Sequence, residues 1–183
     1  YGVSVVREIR KVAKDSFIIA DLKTMDVGKV EVDIAFNETA DGVCAAGVAS
    51  VETLDDFVYE ARRMGIYSFV DLMEVPNPVE KLKALEQLPN AVILHRAIDV
   101  EQRGGEPRWG YIGEIKEAFE GKRLLIAVAG GIQPRTSRIA LEAGADILIV
   151  GRYITQSKDV ERAVEEFLPH LREDIDLLRV HVE

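Results

Sequence analysis

Six short apolar runs punctuate the chain, at residues 17–21, 42–46, 67–71, 91–95, 124–129 and 147–150. None alternates apolar with polar residues, so each predicts a strand buried on both faces. Between them, apolar residues recur at the i, i+3, i+4, i+7 spacing of a helix. Val5, Val6, Ile9, Val12 and Ala13 share a stripe and predict a helix over 1–14. A second spans 28–39, with Val30, Ile34 and Ala35 apolar. Ser50 caps a third, carrying Leu54, Phe57, Val58 and Ala61 and stopping at Met64-Gly65. Asn77-Pro78 opens a fourth, whose Leu82, Leu85 and Leu88 face inward. A longer polar connection leads to a helix over 109–119. Pro134 starts one that ends at Gly144, and Val160, Ala163, Val164, Phe167, Leu168 and Leu171 mark a last long helix.

The runs begin at 17, 42, 67, 91, 124 and 147, separations of 25, 25, 24, 33 and 23 residues. One strand and one crossover helix fill each interval, so a parallel α/β sheet is expected. An open doubly wound sheet and a (β/α)8 TIM barrel both fit. Charged or glycine residues close almost every strand rather than one switch point, which favours the barrel. A single barrel domain over 1–183 is expected, with 172–183 a charged C-terminal tail wrapping the outside. Eight strands are needed and six are visible, and the chain opens on a helix. The expectation is therefore an N-terminally incomplete barrel, with two strands and one helix upstream. A six-stranded open sheet would otherwise expose two long edges.

Composition narrows the partners. Of 183 residues, 48% are apolar and 30% charged, and the net charge of −9 leaves no basic stripe for nucleic acid. A small phosphorylated ligand remains open to an acidic chain, through backbone amides and one or two cations. Cys44, the one cysteine, is expected to be a buried small residue in a reducing compartment. No apolar run approaches the length of a membrane span and no signal peptide is visible, so a cytoplasmic protein is expected.

The chemistry gathers where the strands end. Asp21-Leu22-Lys23-Thr24-Met25-Asp26 follows the first run. Asp21 and Lys23, two apart, point the same way if the strand continues through them, and each holds the other ionised. A surface ion pair would look the same in isolation. Asp71 ends the third strand. His95-Arg96 ends the fourth, and such a histidine can move a proton near neutral pH or serve structure alone. Ala129-Gly130-Gly131-Ile132 and Val150-Gly151-Arg152 end the last two. Glycines let backbone amides approach an anion, and Arg152 can chelate phosphate oxygens.

The D-x-K-x-x-D hexapeptide, H-R-x-x-D, A-G-G-I and I-V-G-R-Y-I-T resemble the orotidine 5′-phosphate decarboxylase superfamily. The D-L-K-T-M-D form is most similar to 3-hexulose-6-phosphate synthases. The R-E-D-I-D tail looks like versions fused behind a formaldehyde-activating domain. The resemblance implies an Mg2+-dependent aldolase, a carbon–carbon lyase, joining formaldehyde to ribulose 5-phosphate. Asp21 would share the Mg2+ ion with a glutamate from the second barrel strand, which cannot be placed in this sequence. Lys23 would stabilise an enediolate, with Asp71 near it and the substrate. Asp26 would reach the site of a partner subunit in a homodimer. His95 and Arg96 would serve proton transfer and orientation, while Gly130, Gly131, Gly151 and Arg152 hold the phosphate. A 3-keto-L-gulonate-6-phosphate decarboxylase, which shares the enediolate, and a non-catalytic barrel fragment are the alternatives.

Overall fold

All six apolar runs form strands, named β1 (Ile19–Thr24), β2 (Gly42–Ala46), β3 (Tyr67–Asp71), β4 (Ala91–His95), β5 (Leu125–Ala129) and β6 (Ile147–Ile149) in this computed structural model. Residues 2–171 are described, so Tyr1 and the predicted charged tail 172–183 lie outside the described residues. They fall into two units, residues 2–93 with 114–125 and residues 94–113 with 126–171.

In the first unit β1, β2, β3 and the start of β4 pair in parallel, in chain order. β2 is buried throughout and Phe69, Val70 and Val92 extend its core. Helix α1 covers Val5–Val12 rather than 1–14. Only Val6 of its expected stripe is buried; Val5, Ile9 and Val12 are exposed. Helix α2 (Gly28–Asn37) turns a different face inward from the one Val30 and Ile34 mark. Gly28, Val32 and Ala35 are buried, while Val30 and Ile34 are exposed. Gly28 sets this register. Its backbone approaches α3 (Val51–Met64) so closely that a Cβ would stand 2.6 Å from the Thr53 carbonyl oxygen. α3 begins and ends as its sequence dictates: Ser50 Oγ accepts from the Thr53 N–H at 3.1 Å, and Gly65 closes it in the left-handed region at φ 75°. Helix α4 spans Pro78–Lys83, capped by Asn77, whose Oδ1 accepts from the Glu80 N–H. It stops before Leu85 and Leu88; those two are half-buried, and Leu82 alone of the three is fully buried.

β1 departs from the doubly buried strand its composition suggests. Ile19 is 37% exposed, and among the described residues β1 pairs with β2 alone. The strand does run on through Asp21 and Lys23.

In the second unit, β5 pairs in parallel with β6 over Ala127–Ile147 to Ala129–Ile149. The segment after β4 holds a helix, α5 (Ile98–Gln102), where only a polar connection is expected; α6 (Gly110–Ala118) follows, and its residues from Glu114 on belong to the first unit. Helix α7 (Pro134–Glu142) starts at its proline, with the Gln133 N–H bonded to Thr136 Oγ1. β6 is only three residues long and Ile149 is exposed, so it too is not the doubly buried strand expected. Its end leads into a short α8 (Arg152–Thr155). The predicted last long helix is broken in two. Helix α9 (Val160–Glu165), capped by Asp159, gives way to a 3-10 turn over Leu168–His170. Pro169 explains the break, since it has no N–H to donate to the preceding turn. No helix among the described residues is long and apolar enough to cross a membrane.

Two glycine substitutions test this packing. Gly28→Ala drives a methyl into the α3 backbone and is expected to cost about 1–3 kcal/mol, as overpacking does. Gly113→Ala, in α6 with nothing within 4 Å of the added methyl, should instead stabilise by about 0.5–1 kcal/mol. Thermal melts of both variants check the opposite signs.

Candidate functional site

In the first unit the C-terminal end of β1 is bulged. Asp21 pairs with Cys44 and Thr24 with Ala45, so Leu22 and Lys23 are extra residues against β2. Lys23 takes a left-handed φ of 47°, sparsely populated for a side chain of this kind. Its ammonium lies 2.8 Å from Asp71 Oδ2 and 2.8 and 3.0 Å from the two oxygens of Asp21. The three differ in burial: Asp71 is 2% exposed, Lys23 33% and Asp21 54%. Asp71 is fixed further by accepting the Met73 N–H at 2.9 Å.

This geometry decides the charge of Lys23. Burial by itself would lower its pKa, but hydrogen bonds to Asp21 and Asp71, and their charges, outweigh burial and raise it. The ammonium is therefore permanent at any physiological pH, which suits it to stabilise an anion and not to remove a proton. Cys44 lies fully buried beside it. Burial, then the Asp21 and Asp71 charges, push its thiol up, so it stays protonated and inert. Thr24 Oγ1 is buried with no hydrogen-bond partner.

Asp26 does not join the trio. It is exposed, and its Oδ1 accepts the N–H of Val27, the residue that enters α2. Val27 is itself left-handed at φ 50°, a genuine outlier for a β-branched residue.

The second unit holds the other predicted residues. Arg96, next to His95, donates from Nη1 to the Gly105 carbonyl at 3.0 Å and from Nη2 to the Gly130 carbonyl at 3.2 Å. Its backbone N–H bonds the Ala129 carbonyl. Arg96 thus clamps two loops, while its Nε is buried without a partner. Gly130 and Gly131 are left-handed, at φ 94° and 70°. Glycine is required at both for a second reason: a Cβ on Gly130 would collide with the Arg96 carbonyl, and one on Gly131 with the Arg96 guanidinium and the Glu101 carboxylate. Gly151 caps α8 and Arg152 is that helix's first residue. Arg152 Nη2 lies 2.8 Å from Glu101 Oε2. Sequence reasoning missed Glu101, because α5, which presents it, was not anticipated. The available signal was a carboxylate five residues past Arg96, just before Gly104-Gly105.

No group of three or more His, Cys, Asp and Glu side chains able to hold a metal occurs among the described residues. Asp21 nevertheless fits as a single hard-oxygen ligand. It is the exposed member of the trio, and Lys23 keeps the buried Asp71 as counter-ion if Asp21 turns away.

The strands are parallel, alternate with helices and carry charged and glycine residues at their C-terminal ends, as the strands of an α/β barrel do. The chain belongs to the orotidine 5′-phosphate decarboxylase / HUMPS family, which residues 1–167 match. Proteins named bifunctional enzyme Fae/Hps are similar to it: that of Methanocella arvoryzae is 47% identical over 98% of this chain and 46% of its own length. That of Methanothrix thermoacetophila is 48% identical over 98% and 45%. The chain thus spans about half the length of these curated relatives. Among solved structures, the 3-hexulose-6-phosphate synthase of Salmonella typhimurium matches with a TM-score of 0.81 at 27% identity, over 98% of this chain and 82% of that one. A second 3-hexulose-6-phosphate synthase structure matches at 0.79 and 29% identity, over 93% and 81%. The fold is accordingly that of the (β/α)8 TIM barrel, of which the described residues carry six strands.

The Lys23 ion pairs have a defined pH signature. The folded-state pKa lies above the ordinary 10.5, so their stabilisation is fully present below that value and drains as pH rises through the folded pKa. The stability difference between wild type and Lys23→Met should be constant from pH 7 to 10 and shrink above 10.5. Urea titrations across that range measure it; a difference that shrinks between pH 7 and 9 would contradict the assignment.

Proposed function

We propose that this chain is a 3-hexulose-6-phosphate synthase, joining formaldehyde to C1 of D-ribulose 5-phosphate to give a 3-hexulose 6-phosphate. The observation that carries the reading is Lys23, held by Asp21 and Asp71 at 2.8 Å each at a strand's C-terminal end. The relatives and solved structures named as synthases support it.

Removal of a proton from C1 of the sugar leaves an enediolate, and C1 then attacks the carbon of formaldehyde, whose oxygen takes up a proton. The permanent ammonium of Lys23 stabilises the oxyanion, an electrostatic contribution greatest where water is excluded. His95 moves the proton, with Arg96 fixing the strand end beside it. Gly130, Gly131, Gly151 and Arg152 bind the phosphate through amides and one guanidinium. Asp21 would be a ligand for Mg2+, which would supply Lewis-acid polarisation of the sugar oxygens.

A homodimer belongs to the same reading. Met25, Val27, Val30 and Ile34 form an exposed apolar face around Asp26 and along α2. A second copy covering that face would take up Asp26, the charge that the trio leaves out.

Loss of formaldehyde, measured with ribulose 5-phosphate present, tests the proposal. Consumption that needs both the sugar phosphate and Mg2+, and stops with a chelator, is expected. Lys23→Ala should lower kcat/KM by about 10²–10³, as loss of one oxyanion donor does. Folded protein that consumes no formaldehyde sinks the synthase reading.

A further inference from the structure

The glycine and arginine cluster of the second unit already contains an anion. Glu101 pairs with Arg152 at 2.8 Å. Its carboxylate also fills the space over the Gly131 turn, where a Cβ would stand 2.6 Å from Cδ and 2.8 Å from Oε1. The Arg96 guanidinium borders the same space, and one of its donors, Nε, is buried without an acceptor. So a carboxylate occupies the ground that a phosphate would need, and it leaves a donor unsatisfied.

The helix that presents Glu101 is lightly held. α5 buries none of its residues. Ile98 and Val100 are exposed. Gly104, left-handed at φ 76° with open space around it, follows directly. Among the polar contacts that hold the segment are the Glu101–Arg152 pair and the bond from Arg96 to the Gly105 carbonyl.

We propose that Glu101 is a specificity-determining residue, an internal anion that holds Arg152 and the Gly131 turn until a phosphate dianion displaces it. The inference rests on the reading of residues 130–131 and 151–152 as the phosphate loops. A carboxylate offers one charge and two oxygens. A phosphate monoester carries about −1.5 to −2 near neutral pH and three acceptor oxygens, so it can take the Arg152 fork and the glycine amides together. A free sugar has no charge with which to compete, and a sugar acid only matches the carboxylate it must replace. Glu101 thereby sets a threshold that phosphate esters cross and their unphosphorylated analogues do not.

Inorganic phosphate, titrated into the wild-type and Glu101→Gln proteins by calorimetry at fixed ionic strength, tests this directly. With the competitor neutralised, phosphate should bind about two- to fivefold tighter, the range of a part-exposed ion pair. KM for ribulose 5-phosphate should fall by a similar factor. Should Glu101→Gln melt early, Glu101→Asp, whose shorter arm withdraws the carboxylate, must show the same direction. Unchanged or weaker phosphate binding would mean that Glu101 merely orients Arg152 and would overturn the proposal, as would phosphate binding to neither protein. Tighter phosphate binding in protein that consumes no formaldehyde would uphold the role of Glu101 and fail the synthase reading alone.

Discussion

The ammonium of Lys23 has two counter-ions of unlike burial, and the chemistry of the first unit depends on that inequality. Asp71 is buried and backbone-anchored, so breaking its pair would strand a charge in the core, a large penalty. Asp21 is more than half exposed, so its share of the pairing is weak. One partner fixes the ammonium from the buried side, while the other meets it at the surface. A lone Asp–Lys pair at the surface would lack the buried anchor.

Backbone geometry makes this arrangement possible. Two residues of β1 bulge out of the ladder with β2, and this brings Lys23 within reach of a carboxylate on β3. The cost is a lysine at positive φ, and Val27 four residues later repeats it. Both lie within or against the D-L-K-T-M-D stretch and its junction with α2. The close approach of Gly28 to α3 then anchors that junction. Strain concentrated at a site and held by rigid packing beyond it is the usual form in which such conformations persist.

Much of the fold was legible because strand burial and caps are local. The six strands lie where uniform apolar runs predicted them, and Ser50, Asn77 and Gly65 cap as their types dictate. The misses come from non-local effects. Val30 and Ile34 show a convincing helical stripe, yet the close contact at Gly28 turns that stripe outward. The composition of β1 and β6 does not say which strand lacks a second neighbour. Pro169 breaks a helix whose apolar spacing runs on without interruption. At the site, the Asp21–Lys23 pairing was readable from a two-residue spacing, and the match of Asp71 from its strand end. Glu101 was not, because its pairing with Arg152 spans 51 positions and joins a helix that propensity did not reveal.

The left-handed valine at position 27 also bears on how this sequence can change over generations. Most substitutions erode stability, and chains persist just above the threshold they need. Here a glycine at position 27 would relieve backbone strain at the loop carrying Asp26, and so is among the easiest stabilising changes to find. Selection for heat tolerance alone would accept it and loosen the loop. The valine at position 27 thus holds the loop in a shape that glycine would loosen, at a cost in backbone strain.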